Sequence, residues 1–243
     1  MRICIVIPVY NEEKRIVRTI EDLKASLMKR YRKDLVLLFV CDGSTDNTEA
    51  IIKRYAKLHS QIRLVTERRR LGKGGAVIKG FNILCSKYHP YIVGFVDADS
   101  SVPGKEILKL LRHLERRNVD GVIASRYLKN SEVVGNLGMG RFIASRSYNA
   151  LVRLLFNLDF TDTQCGAKFF KARALIPALK DVRLAGMSFD INLIYEIYRR
   201  DFSIKEVPVR YDVMLEGTKM RLPEQVPRMF ISTIMYRLGR LNS

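Results

Sequence analysis

The chain lacks the features that disulfide-stapled, zinc-bound and membrane-spanning proteins require. It has three histidines and four cysteines (Cys4, Cys41, Cys85 and Cys165), whose spacing fits neither a disulfide framework nor a zinc pattern. Two of the cysteines fall in runs that read as buried strands, so reduced core thiols in a cytosol-facing compartment are expected. No apolar stretch approaches the ~20 residues that span a bilayer; uncharged segments such as Met229 to Tyr236 are far shorter. A strand-like run starts almost at once, with no charged-then-apolar leader, and no signal peptide is expected. If a membrane matters, the chain lies on it. Repeats, low-complexity tracts and an obvious linker are also absent. Acidic residues are few, 25 against 43 Lys and Arg, giving a formal charge of +18 in 243 residues. Such a field favours polyanions: nucleic acid, anionic lipid headgroups or phosphorylated small molecules. Charge alone does not choose among them.

Hydrophobic residues make up 47% of the chain, enough for a substantial core in one large domain, or a core with a substrate-binding extension. Ile3–Ile7, Leu35–Val40, Ile62–Val65, Ile92–Val96 and Val122–Ala124 are apolar runs of strand length. They alternate with amphipathic stretches at Glu12–Tyr31, Asn47–His59, Ala76–Lys87 and Gly104–Arg117. This rhythm predicts an α/β fold, a mostly parallel central sheet with helices on both faces. In such sheets ligands bind beyond the carboxyl ends of the strands. After about Arg126 the rhythm breaks. A Gly-rich loop (Gly135, Gly138, Gly140) leads to a helical segment from Arg141 to Leu158. A short motif follows at Asp162–Phe170, then a helix near Phe189–Arg200 and a strand near Ile204–Val209. The tail from Val226 to Leu241 reads as an amphipathic helix. Phe230, Ile231, Ile234, Met235, Leu238 and Leu241 share one face, with Arg228, Ser232, Arg237 and Arg240 largely on the other. An interfacial helix and a helix packed on the enzyme's own core both fit that pattern.

The polar motifs fall at strand ends. Strand one runs into Pro8-Val9-Tyr10-Asn11-Glu12-Glu13 and strand two into Cys41-Asp42-Gly43-Ser44-Thr45-Asp46. Helix capping accounts for Asp46–Asn47. It does not account for Asp42, a carboxylate at a strand tip that can accept hydrogen bonds from a ribose or a base N–H. Arg68 to Ala76 reads as a loop rich in Gly and cations, but Lys73 precedes Gly74 rather than Ser or Thr, so the P-loop pattern fails. A basic surface turn and a ligand loop fit it equally. Asp97-Ala98-Asp99, directly after Ile92–Val96, is the strongest signal. Residues i and i+2 of an extended chain point the same way, so both carboxylates can face one site. Like charges repel there unless a cation lies between them, and a divalent metal shared with a diphosphate meets that need.

Together, Ile7–Glu12, Asp42–Asp46, Gly72–Ala76 and Val96–Asp99 resemble family 2 glycosyltransferases of the GT-A fold, in order and spacing, from residue 3 to about 126. Ser125-Arg126, Arg141…Ser145-Arg146…Asn149, Asp162–Lys168, Phe189-Asp190 and Glu216–Met220 look like the polyprenyl-phosphate sugar synthases, with the dolichyl-phosphate glucosyltransferase branch the nearest. The resemblance implies one continuous GT-A domain, with residues 1–126 binding the nucleotide sugar and residues 127–243 the acceptor. It implies that Pro8, Tyr10, Glu12 and Asp42 hold the nucleoside. Lys73, Ala98 and Asp97 would lie along the nucleotide sugar, and Asp97 and Asp99 would bind Mg2+ or Mn2+. Arg126, Arg141, Arg146 and Lys219 become phosphate-facing cations, and Asp190 a further catalytic-site residue. The implied partners are a nucleotide sugar, a polyprenyl or dolichyl phosphate and an anionic membrane surface on its cytoplasmic side.

Two departures weaken a mannose assignment. Mannosyl enzymes carry Gln where this chain has Ser101, and Arg where it has Val213. A UDP-sugar, UDP-glucose above all, is therefore expected over GDP-mannose. The Gln-x-x-Arg-Trp motif of processive synthases is absent, as is every tryptophan, which argues against a polysaccharide synthase. A nucleotidyltransferase also pairs carboxylates with a Gly-rich basic loop, and pyrophosphate release from a nucleoside triphosphate would reveal one. No nucleic-acid partner is expected: no helix-turn-helix spacing, zinc pattern or aromatic RNA-binding strand is present.

Overall fold

The computed structural model describes residues 2–183, 186–214 and 222–239, with the side chains of residues 222–225 left out of that description. Its centre is a seven-stranded sheet of order β3-β2-β1-β4-β7-β5-β8. The strands are β1 (Ile3–Val9), β2 (Leu35–Asp42), β3 (Ile62–Glu67), β4 (Ile92–Val96), β5 (Gly121–Ser125), β7 (Ala167–Lys171) and β8 (Ile204–Pro208). Short β6 (Glu132–Val134) and β9 (Arg210–Asp212) pair in parallel beside it. The expected runs form these strands because both faces are buried. In β1, Ile3, Ile5 and Ile7 enter one core and Cys4 and Val6 the other. In β2, Leu35, Leu37 and Phe39 oppose Val36, Leu38 and Val40 in the same way.

Helices α1 (Ile16–Leu23), the single turn α2 (Lys29–Tyr31), α3 (Thr48–Leu58), α4 (Gly72–Tyr88) and α5 (Gly104–Arg116) alternate with the first strands. Helices α6 (Met139–Phe156), α7 (Ala172–Leu179), α8 (Phe189–Tyr198) and α9 (Leu222–Arg237) follow. α1, α3 and α5 cover one face of the sheet, and α4, α6, α7 and α8 the other.

Besides β6, β9 and α7, which the sequence does not announce, two elements differ from expectation. The stretch read as a short motif is strand β7, which runs antiparallel between β4 and β5 in the middle of the sheet. It lies close to β4 because Gly94 has no side chain: a Cβ there would sit 2.3 Å from the Lys168 carbonyl oxygen. The basic loop is shorter than expected, since α4 begins at Gly72 and Lys73 lies in its first turn. Because the chain visits β2 and β3 on one side of β1 and β4 on the other, the sheet reverses order between β1 and β4. A crevice opens there beyond the strand ends.

Candidate active site

Both sides of that crevice are built by cross-links between strand-end loops. The Asn11 backbone, at φ 52°, donates to Ser44 Oγ at 2.9 Å, and Asn11 Oδ1 accepts from the Thr45 N–H at 2.7 Å. Asp46 Oδ1 caps the Thr48 N–H at 3.0 Å, as expected. Asp42 is buried, and its carboxylate accepts from the Leu71 and Gly72 N–H groups at 2.6 and 2.9 Å. Capping therefore does explain Asp42, although the cap spans 30 residues of sequence to reach α4. Glu12 is held in a two-point ion pair by Arg15, at 2.7 and 2.6 Å, and the Arg70 guanidinium lies 3.8 Å over the Tyr10 ring. These groups line one cleft together with Pro8, Lys73, Asp97, Ala98, Asp99 and Met187. Every nucleotide-binding candidate up to residue 99 thus meets in one place. Arg15, Arg70 and Met187 were not foreseen.

Asp97 and Asp99 sit at the tip of β4, both part-exposed to the cleft. Asp97 Oδ1 lies 2.7 Å from Lys73 Nζ, and Asp99 Oδ1 accepts from the Ser101 N–H at 2.9 Å. Gly166 backs Asp97: its carbonyl accepts the Asp97 N–H at 2.8 Å, and a Cβ at 166 would come within 2.3 Å of Asp97 Oδ2. Behind Lys73 lies a buried charge chain. Asp190, in the first turn of α8, pairs with Lys168 Nζ at 2.5 Å and approaches Lys73 Nζ at 3.9 Å, with Lys168 and Asp190 side chains 0% and 1% exposed. Burial works against the Lys73 charge, but Asp97 and Asp190 raise its pKa above the ordinary lysine value. Asp190 is therefore buried between two lysines, paired with Lys168 and close to Lys73.

A second cavity joins the first at Lys73, Asp97, Asp99 and Met187. Its walls are Leu137, Tyr127 and Tyr211, the α6 residues Arg141, Ala144, Ser145 and Tyr148, and Val226, Met229 and Phe230 of α9. The candidate cations part ways here. Arg141 lines the cavity and has no carboxylate within ion-pair distance among the described residues. Arg126 also lines it, but its guanidinium clasps the fully buried Asp162 at 2.7 and 2.9 Å. Arg126 is thus a paired wall residue rather than an open phosphate-facing cation. Arg146 does not line the cavity; it is exposed and stacks 5.1 Å over Tyr127. Lys219, with the whole Glu216–Met220 match, lies outside the described residues. Gln164 lines the cavity with a buried amide nitrogen that finds no partner among the described residues. It stands inside the Asp162–Lys168 motif, which was the available signal for it.

Val213, where mannosyl enzymes carry Arg, donates its N–H to the Val134 carbonyl at 2.8 Å and packs on the core. The four cysteines are free thiols; burial pushes Cys4 and Cys165 up to about 12 and Cys85 up to about 11.

The chain matches the family described as Glycosyl transferase family 2 over residues 4–176. The dolichyl-phosphate beta-glucosyltransferase of Saccharomyces cerevisiae is 29% identical, the match covering 98% of this chain and 74% of that protein. That of Dictyostelium discoideum is 30% identical, covering 89% of this chain and 68% of that protein. Among solved structures, glucosyl-3-phosphoglycerate synthase from Mycobacterium tuberculosis, in complex with Mn2+, UDP and glucosyl-3-phosphoglycerate, superposes with a TM-score of 0.68 at 21% identity. That match covers 100% of this chain and 81% of that one. The mannosyltransferase PcManGT from Pyrobaculum calidifontis, in complex with GDP-Man and Mn2+, gives 0.64 at 19% identity, covering 100% of this chain and 65% of that one. These neighbours share the GT-A fold. On the family match, and on the relatives that run along nearly its whole length, the chain belongs to glycosyl transferase family 2.

Proposed function

We propose that this glycosyltransferase moves a hexose from a UDP-sugar, UDP-glucose above all, onto a polyprenyl or dolichyl phosphate at the cytoplasmic surface of a membrane. The observation that carries this reading is the joined pair of cavities: a cleft lined mostly by charged side chains meets a more apolar basin at Asp97, Asp99 and Lys73. A nucleotide sugar suits the first and a phosphate on a hydrocarbon chain the second. The two relatives' dolichyl-phosphate glucosyltransferase names support the same acceptor.

Pro8, Tyr10, Glu12 and Asp42 would hold the nucleoside, with Arg70 beside them. No cluster of three or more metal-ligating side chains exists among the described residues. Two part-exposed carboxylates are nevertheless what Mg2+ or Mn2+ uses when phosphate oxygens complete its shell. Bound there, the cation would stabilise charge on the departing diphosphate. Lys73, between Asp97 and Asp190, stands where its ammonium can meet the diphosphate. A phosphate oxygen then attacks the anomeric carbon from the face opposite the nucleotide, the bond to the diphosphate breaks, and the centre inverts to a β-linked product. No strong general base is needed, because a phosphate monoester with a second pKa near ~6 is already largely ionised at neutral pH. Its difficulty is repulsion from an anionic donor, which Arg141 and the Gln164 amide can offset.

Three measurements test this. Initial rates with polyprenyl phosphate should be higher for UDP-glucose than for GDP-mannose; the reverse order overturns the donor assignment. At saturating donor, Arg141→Ala should lower turnover on the acceptor by about a hundredfold, the scale of losing a charge-assisted phosphate contact. Asp190→Asn should instead lower the melting temperature and leave the shape of the pH–rate profile unchanged. An alkaline plateau that vanishes in Asp190→Asn would restore a carboxylate base.

A further inference from the structure

The tail helix does not carry one apolar face as its sequence suggests. Phe230 stacks edge-on against Tyr148 of α6 at 5.4 Å, Thr233 bonds the Tyr148 hydroxyl at 2.8 Å, and Tyr236 packs on Phe156. Ser232 meets Ser188, and Arg237 Nε donates to the Leu155 carbonyl at 2.7 Å. With those residues turned inward, Ile231, Ile234 and Leu238 recur at helical spacing on the outside. α6 repeats the arrangement: Tyr148, Val152 and Phe156 enter the core, while Met139, Ile143 and Leu154 stand out. Leu154 is 82% exposed and Ile231 61%. Of fourteen exposed large hydrophobics among the described residues, six lie on these two helices, and Leu238 directly follows α9. Scattered exposure would need no explanation, but two packed helices presenting apolar stripes do.

The charge beside the stripes selects the occupant. α6 carries Arg141, Arg146 and Arg153 and no acidic residue of its own; Arg141 lines the cavity and Arg153 pairs with Asp159 at 3.1 Å, while Arg146 is exposed. α9 adds the exposed Arg228, and Arg237 bonded to Leu155, against Glu224 alone. The second cavity is walled by these same two helices, through Ala144, Ser145 and Tyr148 on one and Val226, Met229 and Phe230 on the other. The geometry points to the outer face of the α6–α9 pair as the surface that docks on an anionic lipid bilayer, its apolar stripes in the headgroup boundary and Arg146 and Arg228 on lipid phosphates. Resting on the proposed lipid acceptor, this holds the two helices that wall the acceptor cavity against the membrane that carries the hydrocarbon tail.

The test is sedimentation of the full chain with vesicles of phosphatidylcholine plus phosphatidylglycerol, and of phosphatidylcholine alone. Leu154→Glu and Ile231→Glu, neither of which lines a cavity, should each weaken binding to the mixed vesicles by about tenfold or more. Their melting temperatures, and their transfer to a short-chain, water-soluble isoprenyl phosphate, should be unchanged. Wild-type affinity in both variants overturns the assignment. So does a wild-type dimer in solution that both substitutions dissolve, which would give the face to a second copy. Vesicle binding without any sugar transfer would sink the proposed function and leave the docking face standing.

Discussion

Replacing Asp99 by asparagine is expected to lower sugar transfer by about a thousandfold while leaving the melting temperature within a degree or two of wild type, since metal and electrostatic stabilisation of a leaving group operate on that scale. The fold should survive because the hydrogen bond Asp99 makes among the described residues is acceptance of the Ser101 N–H by Oδ1. An asparagine carbonyl can accept the same bond. What is lost is the negative charge that, with Asp97, would share a divalent cation with the diphosphate. Asp97→Asn is a less clean probe, because it also removes the partner of Lys73 at 2.7 Å. Asp99→Asn should likewise bind Mn2+ more weakly in the presence of UDP, measured by electron paramagnetic resonance without any turnover. Full activity in the variant, or in excess chelator, removes the metal from the account.

Arg126→Ala should have the largest effect on stability. Arg126 and Asp162 form a two-point ion pair with side chains 7% and 0% exposed, reinforced by the Arg126 N–H on Asp162 Oδ2 at 3.0 Å. Removing one partner leaves a carboxylate in the core with its charge uncompensated, at a cost of about 3–5 kcal/mol. For a chain of this size that is a fall in melting temperature of roughly 10 °C. The pH dependence has a definite sign. Burial disfavours the Asp162 charge, but the Arg126 guanidinium holds its carboxyl below the ordinary carboxylate range. The pair's contribution is therefore complete above about pH 4, the unfolded aspartate value, and is lost as pH falls below it. In Arg126→Ala the carboxylate can instead protonate at higher pH. The gap between wild type and variant should narrow on acidification. A gap independent of pH, or a variant as stable as wild type, would contradict this role.

The strands and the nucleotide cleft could be read from the sequence because their signals are local. β1, β2 and β4 are uninterrupted apolar runs, and Pro8, Tyr10, Asp42, Asp97 and Asp99 stand at their ends, where the topology gathers them. β7 was missed because Lys168 and Lys171 break its apolar run. Lys168 is tolerated in the middle of the sheet because Asp190, 22 residues away, neutralises it and the Cys165 carbonyl accepts a second bond, a pairing no local pattern reports. The same long-range logic hid the capping of α4 by Asp42. The separation of Arg141, in the cavity, from Arg146, on Tyr127, depends on which side of α6 faces inward, and both arginines had looked alike in sequence. The tail was read with a single apolar stripe because Phe230 and Ile231 are both apolar. Packing on Tyr148 turns the first inward and leaves the second outside.

The central claim is the transfer itself, and one reaction tests it most directly. The full chain is incubated with UDP-glucose, a polyprenyl phosphate and Mn2+ or Mg2+, and the lipid product is examined by mass spectrometry and by the proton coupling at its anomeric carbon. One hexose is expected, joined to the lipid phosphate through a β linkage, with one UDP released for each. An α-linked product would contradict inversion. Release of pyrophosphate from a nucleoside triphosphate, with no glycosylated lipid from any nucleotide sugar, would contradict the claim outright.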